Sequence, residues 1–242
     1  MTAALNITMS AQVAWIEIAR PEVRNALTPG ELHELAATLG RLDADPGIRA
    51  VVLTGQGHKA FSAGLNLRAE AEIATEMQCA GPTGLGAVLR RARAMRTPLV
   101  GRINGACVAG GVGLAAACDV VIAQEDAVFG LPELNVGLYP FVVLAALRDR
   151  VPAGVLAGLA ATTRRIGAEE ARSLGLVADV VPMDRLDDAV RRMTDRIRSL
   201  PSGQADALRF AFDPGVASDF HARMAEAEAR TRAFRAQKIA NS

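Results

Sequence analysis

Residues 50–54, AVVLT, are a continuous apolar run that ends at Gly55 and opens into a glycine-bearing loop, GQGHKAFSAGLNL. A strand that is apolar on both faces must be covered on both faces, which is the condition of a parallel strand inside an α/β sheet. The flanking segments agree with that placement. Gln12–Ala19 (QVAWIEIA) reads as a strand through apolar residues at Val13, Trp15 or Ile16, and Ile18. Thr28-Pro29 then starts a helix, with Thr28 as N-cap, Pro29 at the first helical position and Glu31 in the first turn. Leu32, Leu35, Ala36, Leu39 and Leu42 follow at helical spacing, up to a stop near Asp45-Pro46-Gly47. Further strands are expected at Pro98–Ile103, Asp119–Ala123 and near Ala178–Val181. Helices are expected at Leu85–Met95, Gly110–Ala117, 141–149, 153–160, 168–174, 184–199, 204–212 and 217–237. Residues 68–82 have helical propensity but no clear pattern. Strands thus alternate with helices over the first two thirds and helices dominate the rest, an α/β core with a helical C-terminal region.

Composition narrows the function classes. The 242 residues suit one sizeable domain, and 50% hydrophobic with 22% charged residues excludes whole-chain disorder. A net charge of +1, from 27 basic and 26 acidic residues, gives no footprint for a nucleic-acid partner. No apolar run approaches the ~20 residues of a membrane span. MTAALNITMSAQ lacks the basic start and apolar stretch of a secretory signal, so a cytoplasmic, membrane-free protein is expected. Cys79, Cys107 and Cys118 have neither disulfide-framework nor metal-knuckle spacing and read as small core hydrophobes. His33, His58 and His221 are scattered, so no metal site is expected.

Three stretches are placed for chemistry. In AFSAGLNL (60–67), small residues at Ser62, Ala63 and Gly64 let a ligand approach the main chain. In NGACVAGGVGLAAACD (104–119), Gly110 and Gly111 open a helix whose first N–H groups lack intrahelical partners. Two such N–H groups from separate loops make an oxyanion hole. In VFGLPELNVGLY (128–139), Glu133 sits in an apolar neighbourhood that suits a general base of raised pKa. Each also has a plainer reading. Either glycine loop alone is an ordinary turn, Glu133 alone a solvated carboxylate, Asp119 a backbone-satisfying residue and His58 a solvent-facing one. Residues 111–116, GVGLAA, match a relaxed dinucleotide fingerprint with Glu133 downstream. The helix there is too short, however, and the acid lies in a loop beyond the next strand.

Taken together and in order, RPEVRNAL (20–27), AVVLTGQGHKAFSAGLNL (50–67), PLVGRINGACVAGGVGLAAACDVVIAQEDAVFGLPELNVGLYP (98–140) and IGAEEARSLGLVADVVP (166–182) resemble the crotonase family of enoyl-CoA hydratases and isomerases. The resemblance implies a spiral of ββα units over residues 1–190. It also implies a C-terminal helical trimerisation region over 191–242, assembled as a homotrimer or a dimer of trimers. It implies an acyl-CoA thioester substrate, with CoA as part of the substrate and no separate cofactor. The thioester oxygen would be held by the N–H groups of Leu65 and Gly110, with Gly111 beside them. CoA would lie along Arg24, Ala26, Ala63, Gly64, Asn66, Leu67 and Arg68.

Hydratases of the family use two glutamates. The second matches Glu133; the first falls on Gly113, which has no side chain to hold water. Where the family usually has Pro-Gly-Ala-Gly-Gly, this chain has Pro140-Phe141-Val142-Val143-Leu144, so Tyr139, Phe141, Val142 and Leu144 give an apolar acyl end. The expectation is therefore a 3,2-enoyl-CoA isomerase with Glu133 as the single base. The alternatives are a hydratase recruiting Asp149, Glu70 or Glu72, and a non-catalytic acyl-CoA-binding homologue.

Overall fold

The computed structural model describes residues 4–79, 81–201 and 217–240. The expected strand at 50–54 is β3 (Ala50–Gly55), buried at every position. Its neighbours are β2 (Val13–Ile18) and β5 (Leu99–Ile103), both parallel to it, with Val52 facing Trp15 on one side and Val100 on the other. β7 (Val120–Gln124) and β10 (Asp179–Val181) extend the parallel sheet, and β1 (Leu5–Ser10) closes its other edge antiparallel to β2. The sequence reading omitted β1: its pattern is one buried residue followed by five exposed ones, so it carries no apolar alternation.

Alternate residues of the sheet supply two cores. Ala14, Ile16, Val51, Leu53, Leu99 and Val121 join one apolar cluster with α1 (Pro29–Ala44) and α3 (Gly84–Ala94). Val13, Ala50, Val52, Val100 and Ile122 join a second with α8 (Leu186–Arg198). Helices on both faces explain why β3 reads as an unbroken apolar run. α1 begins as expected: Thr28 Oγ1 accepts from the Glu31 N–H at 3.3 Å and Glu31 Oε2 accepts from the Thr28 N–H at 2.8 Å, a reciprocal capping box. Residue 190, where the texture of the sequence changes, lies inside α8 and is fully buried.

A second, smaller sheet positions the site. β4 (Ala60–Ser62), β6 (Ala106–Val108) and β8 (Val128–Gly130) run parallel, with β9 (Arg165–Gly167) antiparallel on β8. The chain passes from β3 to β4, from β5 to β6 and from β7 to β8, one strand in each sheet per turn, with helices returning between turns. Each of these strands has three residues, too few for a period-2 pattern, and none was anticipated. The undecided stretch 68–82 contains α2 (Glu70–Gln78), which has no buried residue and hence no apolar stripe. The helices α4 (Gly110–Ala117), α5 (Phe141–Leu147), α6 (Ala153–Thr162) and α7 (Ala168–Ser173) follow the expected positions. The helix expected at 204–212 lies outside the described residues. The last helix, α9 (Ala217–Ala240), packs Phe220, Met224 and Ala227 against Leu89 of α3 and Val142 and Ala146 of α5. No helix among the described residues is long and apolar enough to cross a membrane.

Candidate active site

Two crossings between the sheets bring the glycine loops together. Asn104, with no exposed surface, donates to the carbonyls of Gly55 at 2.8 Å and Gly57 at 2.7 Å and accepts from the Gly55 N–H at 3.2 Å. Asn25 donates to Ala60 O at 2.8 Å and Gln56 O at 3.1 Å. These bonds fold the β3–β4 loop back on itself, because buried amide groups need partners. Ser62 then donates to Asn25 O at 2.8 Å and accepts from the Gly64 N–H at 3.0 Å. That bond holds Gly64 in a left-handed conformation, φ +79°, and turns the next peptide N–H, that of Leu65, toward α4.

The facing donor is set by close packing. A Cβ on Gly111 would stand 2.1 Å from Ser62 O, so the two loops touch backbone to backbone. Ala109 is held at φ 51° and ψ −129° by its N–H bond to Gly130 O at 2.9 Å, a costly conformation for a non-glycine residue. Gly110 follows as the first residue of α4, its N–H beyond the reach of any intrahelical carbonyl. Among the described residues neither Leu65 N–H nor Gly110 N–H has a protein acceptor. An idealised Cβ on Gly110 would lie 3.4 Å from the Leu65 nitrogen, so the loop of one donor packs against the helix start that carries the other.

Both donors line a cavity of about 360 Å³, within the range of small-ligand sites. Glu133 lines it too, at the start of a short 3-10 helix, Glu133–Val136, after Pro132. Its Oε2 is buried without a hydrogen-bond partner. Burial raises the carboxyl pKa from 4.5 to about 7, against a smaller lowering by a backbone hydrogen bond. A carboxyl group poised near neutrality in the same cavity as two unpaired N–H donors can take up a proton and return it while a developing oxyanion is held.

Of the other expected site residues, Arg24, Ala63, Gly64, Leu67 and Phe141 line the cavity. Ala26, Asn66, Arg68 and Gly111 do not. Ala26 is buried beneath the loop, and Gly111 is closed against Ser62. Asn66 instead ties the loop, accepting from the Arg68 N–H at 3.1 Å while Arg68 points to solvent. Of the residues expected at an apolar acyl end, Tyr139, Phe141 and Val142 line the cavity, joined by Val143, whereas Leu144 packs on the main core. The ring of Phe141 lies 4.6 Å from that of Tyr139 and 6.1 Å from that of Phe234. A Cβ on Gly113 would meet Leu85 at 3.4 Å and Val143 at 3.5 Å, so apolar side chains stand where the first of the two hydratase glutamates would begin.

None of the three second acids considered from the sequence reaches the cavity. Asp149 pairs with Arg223 at 2.7 Å, Glu72 accepts from the Gly30 N–H at 3.0 Å, and Glu70 is exposed. Glu76 does line the cavity, and the sequence reading missed it because α2 has no pattern to orient it. Its Oε1 accepts from the Gly84 N–H at 2.6 Å, at the N-terminus of α3. Thr231, Phe234 and Arg235 of α9 complete the wall. Asp119 is structural, its Oδ2 accepting from the Leu99 N–H at 2.7 Å, and His58 is exposed. Cys107 and Cys118 are buried as expected, but Cys79 is exposed at the end of α2, because that helix buries nothing.

Comparison with known proteins gives the geometry its context. The family model described as enoyl-CoA hydratase/isomerase matches residues 8–239. The chain is 35% identical over 196 residues to the (E)-benzylidenesuccinyl-CoA hydratase of Thauera aromatica, covering 81% of this chain and 76% of that protein. It is 33% identical over 221 residues to the short-chain-enoyl-CoA hydratase of Clostridium acetobutylicum, covering 90% and 84%. The structure of an enoyl-CoA hydratase/isomerase from Xanthobacter autotrophicus superposes with a TM-score of 0.86 at 27% identity, over 97% of this chain and 88% of that one. With two parallel-stranded sheets wound as a spiral and a match along nearly its whole length, the chain belongs to the enoyl-CoA hydratase/isomerase family of acyl-CoA enzymes.

Proposed function

We propose that this chain is a 3,2-enoyl-CoA isomerase working with one carboxylate. The observation that carries the reading is Glu133: a buried, unpartnered Oε2 and a pKa of about 7, in the same cavity as two N–H donors without protein acceptors. The thioester oxygen of a 3-enoyl-CoA sits between the N–H groups of Leu65 and Gly110. The Glu133 carboxylate removes a proton from C2, the electron pair delocalises over the thioester and the former double bond, and the N–H groups stabilise the dienolate. The same carboxyl group, now protonated, delivers the proton to C4, leaving the 2-enoyl thioester and the starting carboxylate. No water enters the balance. The apolar surround of Leu85, Val143 and Phe141 supports this, since it keeps competing proton donors from the intermediate.

Hydration is the second reading. The matched relatives are named as hydratases, and Glu76 provides another carboxylate on the cavity wall. Against it, one Glu76 oxygen is already committed to the Gly84 N–H. The two readings separate by mass spectrometry in deuterated water, with 3-enoyl- and 2-enoyl-CoA esters and the Glu133→Gln variant. Isomerisation turns the 3-enoyl into the 2-enoyl ester without adding water, carries the C2 proton to C4 largely without exchange for deuterium, and is lost in the variant. Addition of one water to the 2-enoyl ester refutes it, and sensitivity of that addition to Glu76→Gln would name the second group.

A further inference from the structure

Three arginines line the cavity, and they are not equivalent. Arg24 and Arg165 are exposed, whereas Arg235 is half-buried on α9, one helical turn after Thr231 and on the same face. Its Nη1 donates to the Met77 Sδ at 3.9 Å, and a thioether is a weak acceptor. Among the described residues Arg235 forms no ion pair. Glu76 acts on it through space, but that carboxylate is directed at the Gly84 N–H and lies 3.7 Å from His33 Nε2. Burial lowers the guanidinium pKa, which registers how little compensation the wall of Leu32, Met77, Leu85 and Phe234 provides. A guanidinium carries five donors in a planar fork and stays charged at neutral pH. A guanidinium without a strong acceptor thus lines the same cavity as Leu65, Gly110 and Glu133.

We propose that Arg235 reads a carboxylate carried by the acyl group, so that the preferred ligands are CoA monothioesters of dicarboxylic acids. The inference rests on the acyl-CoA reading of the cavity but not on the choice between isomerisation and hydration. A carboxylate matches the guanidinium fork with two parallel hydrogen bonds. A methyl-ended chain would instead desolvate those donors and leave them unpaired, which a site discriminates against strongly. The CoA phosphates are the other source of anionic oxygen. The exposed Arg24 and Arg165 suit those solvated groups better than the half-buried Arg235 does.

The test uses saturated thioesters, which bind without reacting and so do not depend on Glu133. Titration calorimetry compares succinyl- with butyryl-CoA, glutaryl- with pentanoyl-CoA and adipyl- with hexanoyl-CoA. The expected result is that the dicarboxylic member of at least one pair binds about tenfold tighter or more, as one charge-assisted hydrogen bond implies. That preference falls to within about twofold in Arg235→Met and is partly kept in Arg235→Lys, whose charge remains while the fork is lost. Thermal melts establish that both variants are folded, and Arg235→Lys alone carries the comparison if the methionine variant is not. Equal binding within every pair overturns the proposal, as does a preference that survives Arg235→Met. An equal loss for both members of each pair also overturns it and assigns Arg235 to a CoA phosphate. If the wild type binds none of the six, the acyl-CoA reading of the cavity falls as well.

Discussion

Replacing Gly64 with alanine tests the oxyanion geometry most directly. The added Cβ would stand 2.4 Å from the nitrogen of Gly110, 2.6 Å from its Cα and 3.0 Å from the nitrogen of Gly111. All three are backbone atoms, so no side chain can swing aside. Contacts below 3.0 Å are essentially never tolerated, so Gly110 and the loop must separate. Neither side moves freely. Gly64 O accepts from the Leu27 N–H at 2.8 Å, its N–H is held by Ser62, and the start of α4 is packed against Ser62 O. The displacement therefore falls on the relation between the Leu65 and Gly110 donors. Misplacing one such donor lowers kcat on the order of 100- to 1000-fold. The left-handed backbone adds a stability cost of about 1–2 kcal/mol for alanine. Gly57→Ala is the control: φ is +80° there, but a Cβ would meet nothing within 4 Å. It should lose similar stability from backbone strain and keep its activity. Steady-state turnover of an enoyl-CoA ester, with thermal melts on both variants, decides the matter. A folded Gly64→Ala within threefold of wild-type kcat, or a Gly57→Ala that loses as much activity, refutes the assignment of Leu65 and Gly110.

The remaining predictions concern the base and the supports of the site. Because burial raises Glu133 from 4.5 to about 7, the folded chain binds this proton more tightly than the unfolded chain. Its contribution to stability therefore declines as pH rises from 4.5 to about 7 and is level above, a change of up to about 3 kcal/mol. Glu133→Gln should remove that decline and melt above wild type at pH 8, which melting curves across pH check. In the wild type, kcat/KM should rise with pH along an acid limb centred near 7 as the base ionises. Glu228, 2% exposed, takes both Arg90 nitrogens at 2.8 and 2.7 Å and the Thr83 N–H at 3.0 Å, which ties α9 to α3. Glu228→Ala strands the Arg90 charge and should cost about 3–5 kcal/mol, with amide exchange accelerated first in α9. Asn104→Ala removes a fully buried amide that satisfies Gly55 and Gly57. About 2–3 kcal/mol should be lost in denaturant unfolding, with kcat reduced because the β3–β4 crossing loosens.

What could be read from the sequence were features whose cause is local or periodic. The unbroken apolar run at 50–54 announced a strand covered on both faces, and α8 on one side with α1 and α3 on the other is the reason it is unbroken. The Thr28-Pro29-Gly-Glu31 start announced α1 through its own capping chemistry. The glycine loops and the acid pointed to backbone donors and a carboxylate in apolar surroundings, the family resemblance assigned these to Leu65, Gly110 and Glu133, and all three line one cavity. Three-residue strands leave none, so the second sheet that brings these loops together was invisible. So was α2, whose exposed helix has no stripe, and with it the placement of Glu76 and Cys79. The acceptor-free state of Leu65 N–H, the pKa of Glu133 and the presence of Arg235 in the same cavity arise between segments up to 170 residues apart, from Leu65 to Arg235. Desolvation and hydrogen-bond satisfaction depend on what lies within a few ångströms, and only the folded chain defines that neighbourhood.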